Sequence, residues 1–183
     1  MHAQWNRIEH ALSTLGCLDQ VGLRPGAAQS RIAELEQHLG VQLPAGLKAF
    51  LSIHDGQDGA GLVGGELLLS VDQIRQEWDG WRSLDENAMN ADCADFMASH
   101  PEGFIKPMYT NRSWIPLTKD WGGNHVGIDF DPDTKGTAGQ VIRFGRDEDT
   151  KRVVAENFDA FVSRLASALA VARWNGEDLD STI

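Results

Sequence analysis

GIDFDPDTKGTAGQVIRFG, residues 127–145, holds two short strands and the turn that joins them. Val126, Ile128 and Phe130 alternate with Gly127 and Asp129, the period of two that a half-buried strand imposes, and Ile142 and Phe144 repeat it after Gln140. Between the strands Asp131 and Pro132 open a turn, and Gly136 and Gly139 let the chain re-enter. Two further runs flank this hairpin, Trp114 to Thr118 before it and Lys151 to Ala155 after it. Pro116 lacks the N–H that a ladder needs, so its strand belongs at a sheet edge or at a bulge.

Away from the strands the spacing turns helical. Trp5, Ile8, Leu12 and Leu15 share a face that Gly16 stops, and Ile32, Leu35 and Leu39 share another that Gly40 stops. Pro44 suits the first turn of a third helix, with Leu47, Phe50, Leu51 and His54 along one side until Asp55 and Gly56. Five glycines from Gly56 to Gly65 predict a tight or flexible connection to a short buried strand at Leu67 to Leu69. Ser70 and Gln73 stand at capping-box spacing, ahead of Ile74, Trp78 and Trp81 at i, i+4 and i+7. Residues 82–110 are weakly periodic, with a short helix expected around Asp92 to Ser99 and closed by Pro101 and Gly103. A long final helix carries Phe158, Phe161, Val162, Leu165 and Leu169 in one stripe and is expected to end at Asn175 and Gly176. Helices followed by strands, without alternation, predict an α+β fold in a single domain over residues 1–183.

A chain of 183 residues, 42% of them hydrophobic, can fill one core, which excludes a disordered chain. No stretch approaches the roughly 18 apolar residues of a membrane span, and Met1 to Leu15 lacks the basic segment and apolar run of a leader. The expectation is a soluble, cytoplasmic protein with no membrane partner. Cys17 and Cys93 read as reduced, buried thiols, which excludes a disulfide scaffold. The net charge is −11, and residues 51–110 alone carry 11 acidic against 3 basic groups. With no basic patch in view, nucleic acid is excluded as a partner, and a charged partner would be basic and meet the middle of the chain.

The residues that usually carry chemistry are sparse. His54 beside Asp55, and His125 four residues before Asp129, are the His/acid neighbours in the sequence. His54 ends an apolar helical face and His125 follows the turn glycines Gly122 and Gly123, neither a general-base setting. Asp129, Asp131 and Asp133 begin like a calcium loop, but Thr134 stands at its sixth position, where Gly is needed, and Gln140 at its twelfth, where Glu is needed. No nucleophile elbow, no HExxH and no cysteine with a metal-ligand neighbour occurs. The sequence predicts no catalytic residue, metal or cofactor.

In order, the helix ending in Leu39-Gly40, LPAGLKAFLSIHDG (43–56), WIPL (114–117), the 127–145 stretch and NFDAFVSRL (157–165) resemble the SUKH superfamily. This is the family of the fungal Smi/Knr cell-wall assembly regulators and of many bacterial immunity proteins. The likeness covers about residues 23–170, and residues 70–110 read as an acidic, Trp-containing insert. It implies a mixed, mainly antiparallel sheet flanked by N-terminal helices and a long C-terminal helix, with no catalytic activity. It also implies a protein-binding module. The first expectation is a bacterial immunity protein that occupies a cognate toxin domain, basic and directed at nucleic acid. The alternative is a housekeeping regulator or scaffold of the cell-wall type. The disordered flanks of the fungal proteins are missing from these 183 residues, which weighs toward immunity. The expected partner-binding residues are Asp55, Trp78, Asp79, Trp81, Asp85, Glu86, Asp129 and Asp131, with Trp78 and Trp81 as anchors and Trp114 and Trp121 as structural residues.

Overall fold

The computed structural model describes residues 1–181. The N-terminal elements are α1 (His2–Leu15), α2 (Leu18–Val21), α3 (Gln29–Leu39), α4 (Ala45–Leu51) and β1 (Leu67–Leu68). Then come α5 (Val71–Arg82), α6 (Glu86–Cys93), β2 (Ala98–His100), β3 (Trp114–Pro116), β4 (Thr118–Lys119) and β5 (Asn124–Asp129). The chain closes with β6 (Gln140–Gly145), β7 (Thr150–Ala155), α7 (Phe158–Leu169), β8 (Arg173–Trp174) and β9 (Leu179–Asp180). This is the α+β class expected, with the mixed, mainly antiparallel sheet. The backbone forms two compact units, residues 1–75 with the chain from Asp159 onward, and Gln76–Phe158.

The first unit is helical because its apolar residues recur at helical spacing. Ile8, Leu12, Ile32, Leu35, Leu47, Leu51, Phe161 and Leu165 are all buried. Trp5 stacks on Phe50 with ring centroids 4.3 Å apart, and its indole N–H donates to the Phe50 carbonyl at 3.2 Å, so the largest core side chain leaves no polar atom unpaired. Gly16 and Gly40 end α1 and α3 at φ 74° and 70°, the left-handed conformation that only glycine adopts cheaply. The glycine-rich loop after α4 is tightly turned. Buried Gln57 organises it, accepting from Leu62 N and Leu68 N while donating to the carbonyls of Val21 and Ala60. The capping box forms as expected, with Ser70 N donating to Gln73 Oε1 at 2.9 Å and Gln73 N to Ser70 Oγ at 3.3 Å.

The second unit is built on a sheet of order β2-β7-β6-β5-β3. Asp129 pairs with Gln140 at the base of the β5–β6 hairpin, and β6–β7 continues antiparallel with a register shift at Val141/Ile142. β3 is an edge strand, the position that Pro116 requires. Ile105, Trp114, Ile142 and Phe144 form the core, with Phe104, Met108 and Val153 against it. A side chain at Gly127 would sit 2.2 Å from the Ile115 carbonyl and 2.8 Å from the Phe144 ring, so β3 and β5 approach this closely only over glycine.

Several expectations are corrected. The helix expected at Asp92 to Ser99 lies earlier, over Glu86–Cys93, because Asp85 caps it by accepting from Ala88 N; Ala98–His100 is instead an edge strand parallel to β7. The final helix stops at Leu169, and Asn175 with Gly176 turns the small β8–β9 hairpin. Both cysteines are free as expected, but Cys93 is half-buried.

Lys151 on β7 is fully buried beneath Tyr109, its ammonium 5.9 Å from that ring and bonded to the Glu148 carbonyl. Desolvation lowers its pKa to about 8. Between pH 8 and 10.5 the unfolded chain holds a proton that the native chain has released, so stability rises with pH across that window. Lys151→Met should therefore raise unfolding stability at pH 7 by about 1–3 kcal/mol and remove that rise, measured by urea denaturation from pH 7 to 10.

Candidate functional site

In the second unit, Trp81, Leu84, Met89, Tyr109, Trp121 and Arg146 are among the residues that line a groove of about 480 Å³. α5 sets up this arrangement. Trp78 and Trp81 lie three residues apart, so they share a side of the helix but differ in depth. Trp78 is buried, donates its indole N–H to the Arg112 carbonyl at 2.9 Å and carries the Arg82 guanidinium 4.6 Å above its ring. Trp81 is half-buried, edge-on to Tyr109 and His125, each 5.9 Å away.

His125 fixes Trp81. The Trp81 indole donates to His125 Nε2 at 2.9 Å, which makes that nitrogen an acceptor, and Nδ1 then donates to the Thr118 carbonyl at 2.7 Å. The imidazole is neutral, 1% exposed, and burial pushes its pKa below the ordinary 6.5. It packs against Phe144, not against Asp129, so the His125/Asp129 pair read from sequence does not form. His54 meets Glu9 and the Arg24 carbonyl and lies against Trp5, while Asp55 turns to α5.

The opposite rim is the turn after β4. Asp120 accepts from the backbone N–H groups of Gly122 and Asn124 at 2.8 Å each and from Asn124 Nδ2 at 2.9 Å. Burial alone would raise the Asp120 pKa, but these bonds hold it below the usual carboxylate value. The turn they fix displays Trp121, which is 97% exposed and so is no structural residue. Leu84, at 39% exposure, is a second apolar side chain at the groove. Two exposed apolar residues beside half-buried aromatics are the composition of an interface anchor site.

Of the residues expected from sequence, Trp81 lines the groove. Asp79 and Asp85 are exposed, Asp85 as the cap of α6, and Glu86 pairs with Arg112 at 3.2 Å. Asp55, in the first unit, accepts from Val71 N at 2.7 Å and so starts α5. Asp129 is fully buried and accepts from Gln140 Nε2 and Asp131 N; burial pushes its pKa up. Asp131 meets Lys106 Nζ and Asn111 Nδ2, and these bonds outweigh burial to hold its pKa low. Tyr109, Arg146 and Met89 escaped the sequence reading because no local spacing links them. Trp121 carried a usable signal, a large aromatic in a glycine turn with no apolar residue two or three positions away on either side. Among the described residues no three His, Cys, Asp or Glu side chains converge on a metal position. Nor is any described helix long and apolar enough to cross a membrane.

The profile of the SMI1 / KNR4 family (SUKH-1) matches residues 26–164. The chain is 33% identical over 190 residues to a glucan synthesis regulatory protein of Neurospora crassa, covering 85% of this chain and 35% of that protein. It is 35% identical over 170 residues to the cell wall biosynthesis/cell cycle regulator smi1 of Schizosaccharomyces pombe, covering 86% and 34%. With the cell wall assembly regulator SMI1 of Saccharomyces cerevisiae it shares 31% over 180 residues, covering 80% and 36%. The chain thus spans about a third of the length of these curated relatives.

The state of His125 is testable. Its native pKa is depressed, so the stability it contributes is complete above pH 6.5 and is lost as the pH falls below that value, where the unfolded chain takes up a proton first. Urea midpoints of the wild-type chain should fall between pH 7 and 5, and His125→Asn, which gains no proton, should show a shallower fall. Parallel profiles would mean that His125 does not titrate as its burial requires.

Proposed function

This chain belongs to the SMI1/KNR4 family (SUKH-1), and on that premise we propose that it is a non-catalytic, protein-binding module that works in regulation of cell-wall assembly. The Trp81–Tyr109–Trp121 groove is its binding face. The observation that carries this is Trp121: a tryptophan 97% exposed on a turn fixed by Asp120 costs solvation, and a partner that covers it recovers that cost. The named relatives are regulators of wall and glucan synthesis, and no catalytic activity appears in their names. The immunity role expected from the family resemblance draws no support from them, and the regulator alternative takes its place.

Binding through an anchor site makes the fold a rigid frame for a few side chains. The Trp81 side chain is held by His125, and the backbone that carries Trp121 is held by the Asp120 turn, so less freedom remains to be lost on association. The soluble, cytoplasmic location expected from sequence fits this role.

A chimera tests the proposal. This chain replaces the matching third of the Saccharomyces cerevisiae cell wall assembly regulator, and growth is scored on a wall-binding dye in a strain lacking the native protein. The chimera should restore growth, and the double variant Leu84→Asp/Trp121→Ala should lose at least half of that rescue at unchanged protein level. Equal rescue by the variant would rule out the groove, and no rescue by the unaltered chimera would count against the regulator role.

A further inference from the structure

The polar atoms of the groove divide into those already engaged and those left over. Glu77 is held by Lys119 Nζ at 2.7 Å, both His125 nitrogens are bonded, and the Trp81 N–H goes to one of them. Three lining residues keep side-chain polar groups with no hydrogen bond or ion pair to any described residue: the Tyr109 hydroxyl, the Trp121 indole N–H and the Arg146 guanidinium. Indole and guanidinium only donate, and the phenol can donate or accept. The surplus is weighted toward donors, and among the lining side chains the guanidinium is the charge without an ion pair, the Asp120 carboxylate at the rim being bonded to its own turn.

Resting on the reading of this groove as the binding face, we propose that its occupant is an extended, proline-rich segment of a partner protein that carries an Asp or Glu beside the prolines. Proline has no N–H, so such a segment brings carbonyl acceptors without donors that the groove could not satisfy. A helical ligand commits its backbone carbonyls to its own N–H groups and so offers these groups only side-chain acceptors. The pyrrolidine rings are compact and apolar, suited to pack among Trp81, Tyr109 and Trp121. The carboxylate complements Arg146 through a charge-assisted pair, the stronger kind of hydrogen bond. The net charge of −11 acts over roughly a Debye length of about 10 Å and slows approach of an anion, but it does not alter which charge meets the guanidinium in contact.

The test is a random dodecapeptide display library selected on the full chain, with enriched peptides measured by fluorescence anisotropy against wild type, Trp121→Ala and Arg146→Glu. Both substitutions fall on exposed residues, so the fold should persist and circular dichroism should be unchanged. Enriched peptides should hold prolines with a neighbouring Asp or Glu, Trp121→Ala should weaken them at least tenfold, and Arg146→Glu should reverse the preference toward Lys or Arg. Peptides enriched without proline, or bound equally by Arg146→Glu, overturn the proposal, as does a selection that enriches nothing above the Trp121→Ala chain. If the chimera loses rescue through Leu84→Asp/Trp121→Ala while the peptides lack proline, the groove stands as the binding face and only this occupant falls. If neither depends on Trp121, both fall.

Discussion

Asp129 is a carboxylate with no exposure, and the second unit is arranged around keeping it satisfied. It accepts from Gln140 Nε2 at 2.8 Å and from Asp131 N at 2.9 Å, while Gly139 N reaches its carbonyl at 2.7 Å. An unpaired buried carboxylate would cost several kcal/mol, so these bonds set the register at the turn end of the β5–β6 hairpin. Gln140 extends the network by donating to the Phe104 carbonyl, which ties the chain before Ile105 to the sheet. The calcium-like spacing of aspartates is thus a hairpin lock, with Lys106 and Asn111 where a cation would have been.

That economy explains why a strongly acidic chain can present a groove rich in donors. Its carboxylates are largely spent within the fold: Asp120 on its turn, Glu77 on Lys119, Glu86 on Arg112 and Asp131 on Lys106. Long-range charge and local hydrogen-bonding character are therefore separate properties of the molecule. The composition reports the first and says nothing of the second.

Elements written in local spacing were legible in the sequence. The stripes of α1, α3, α4 and α7, the capping box before α5 and the edge position forced by Pro116 all follow from steric rules acting over a few residues. What escaped was short or non-local. Four-residue α2 is too brief to show a period, and β2 exists only because Ala98–His100 finds β7 some fifty residues on. The site divides the same way. Trp81 could be picked from helical spacing, whereas Tyr109, Arg146 and His125 meet it only through topology. Asp55, Asp129 and Asp131 were singled out for their charge, but their oxygens are taken up inside the fold.

The order of the chain has a consequence for synthesis. The first unit needs α7, whose Ser163 meets Gln4 of α1, yet residues 76–158 are translated in between. At roughly 5–20 residues per second the intervening segment takes about 4–17 s to make, and through that interval α1 and α4 have each other, as Trp5 has Phe50, but not α7. The inserted unit, by contrast, is contiguous and can close as soon as β7 emerges. The hairpin that looks like the centre of the fold is therefore present in full in the nascent chain before the last helix of the first unit has been made.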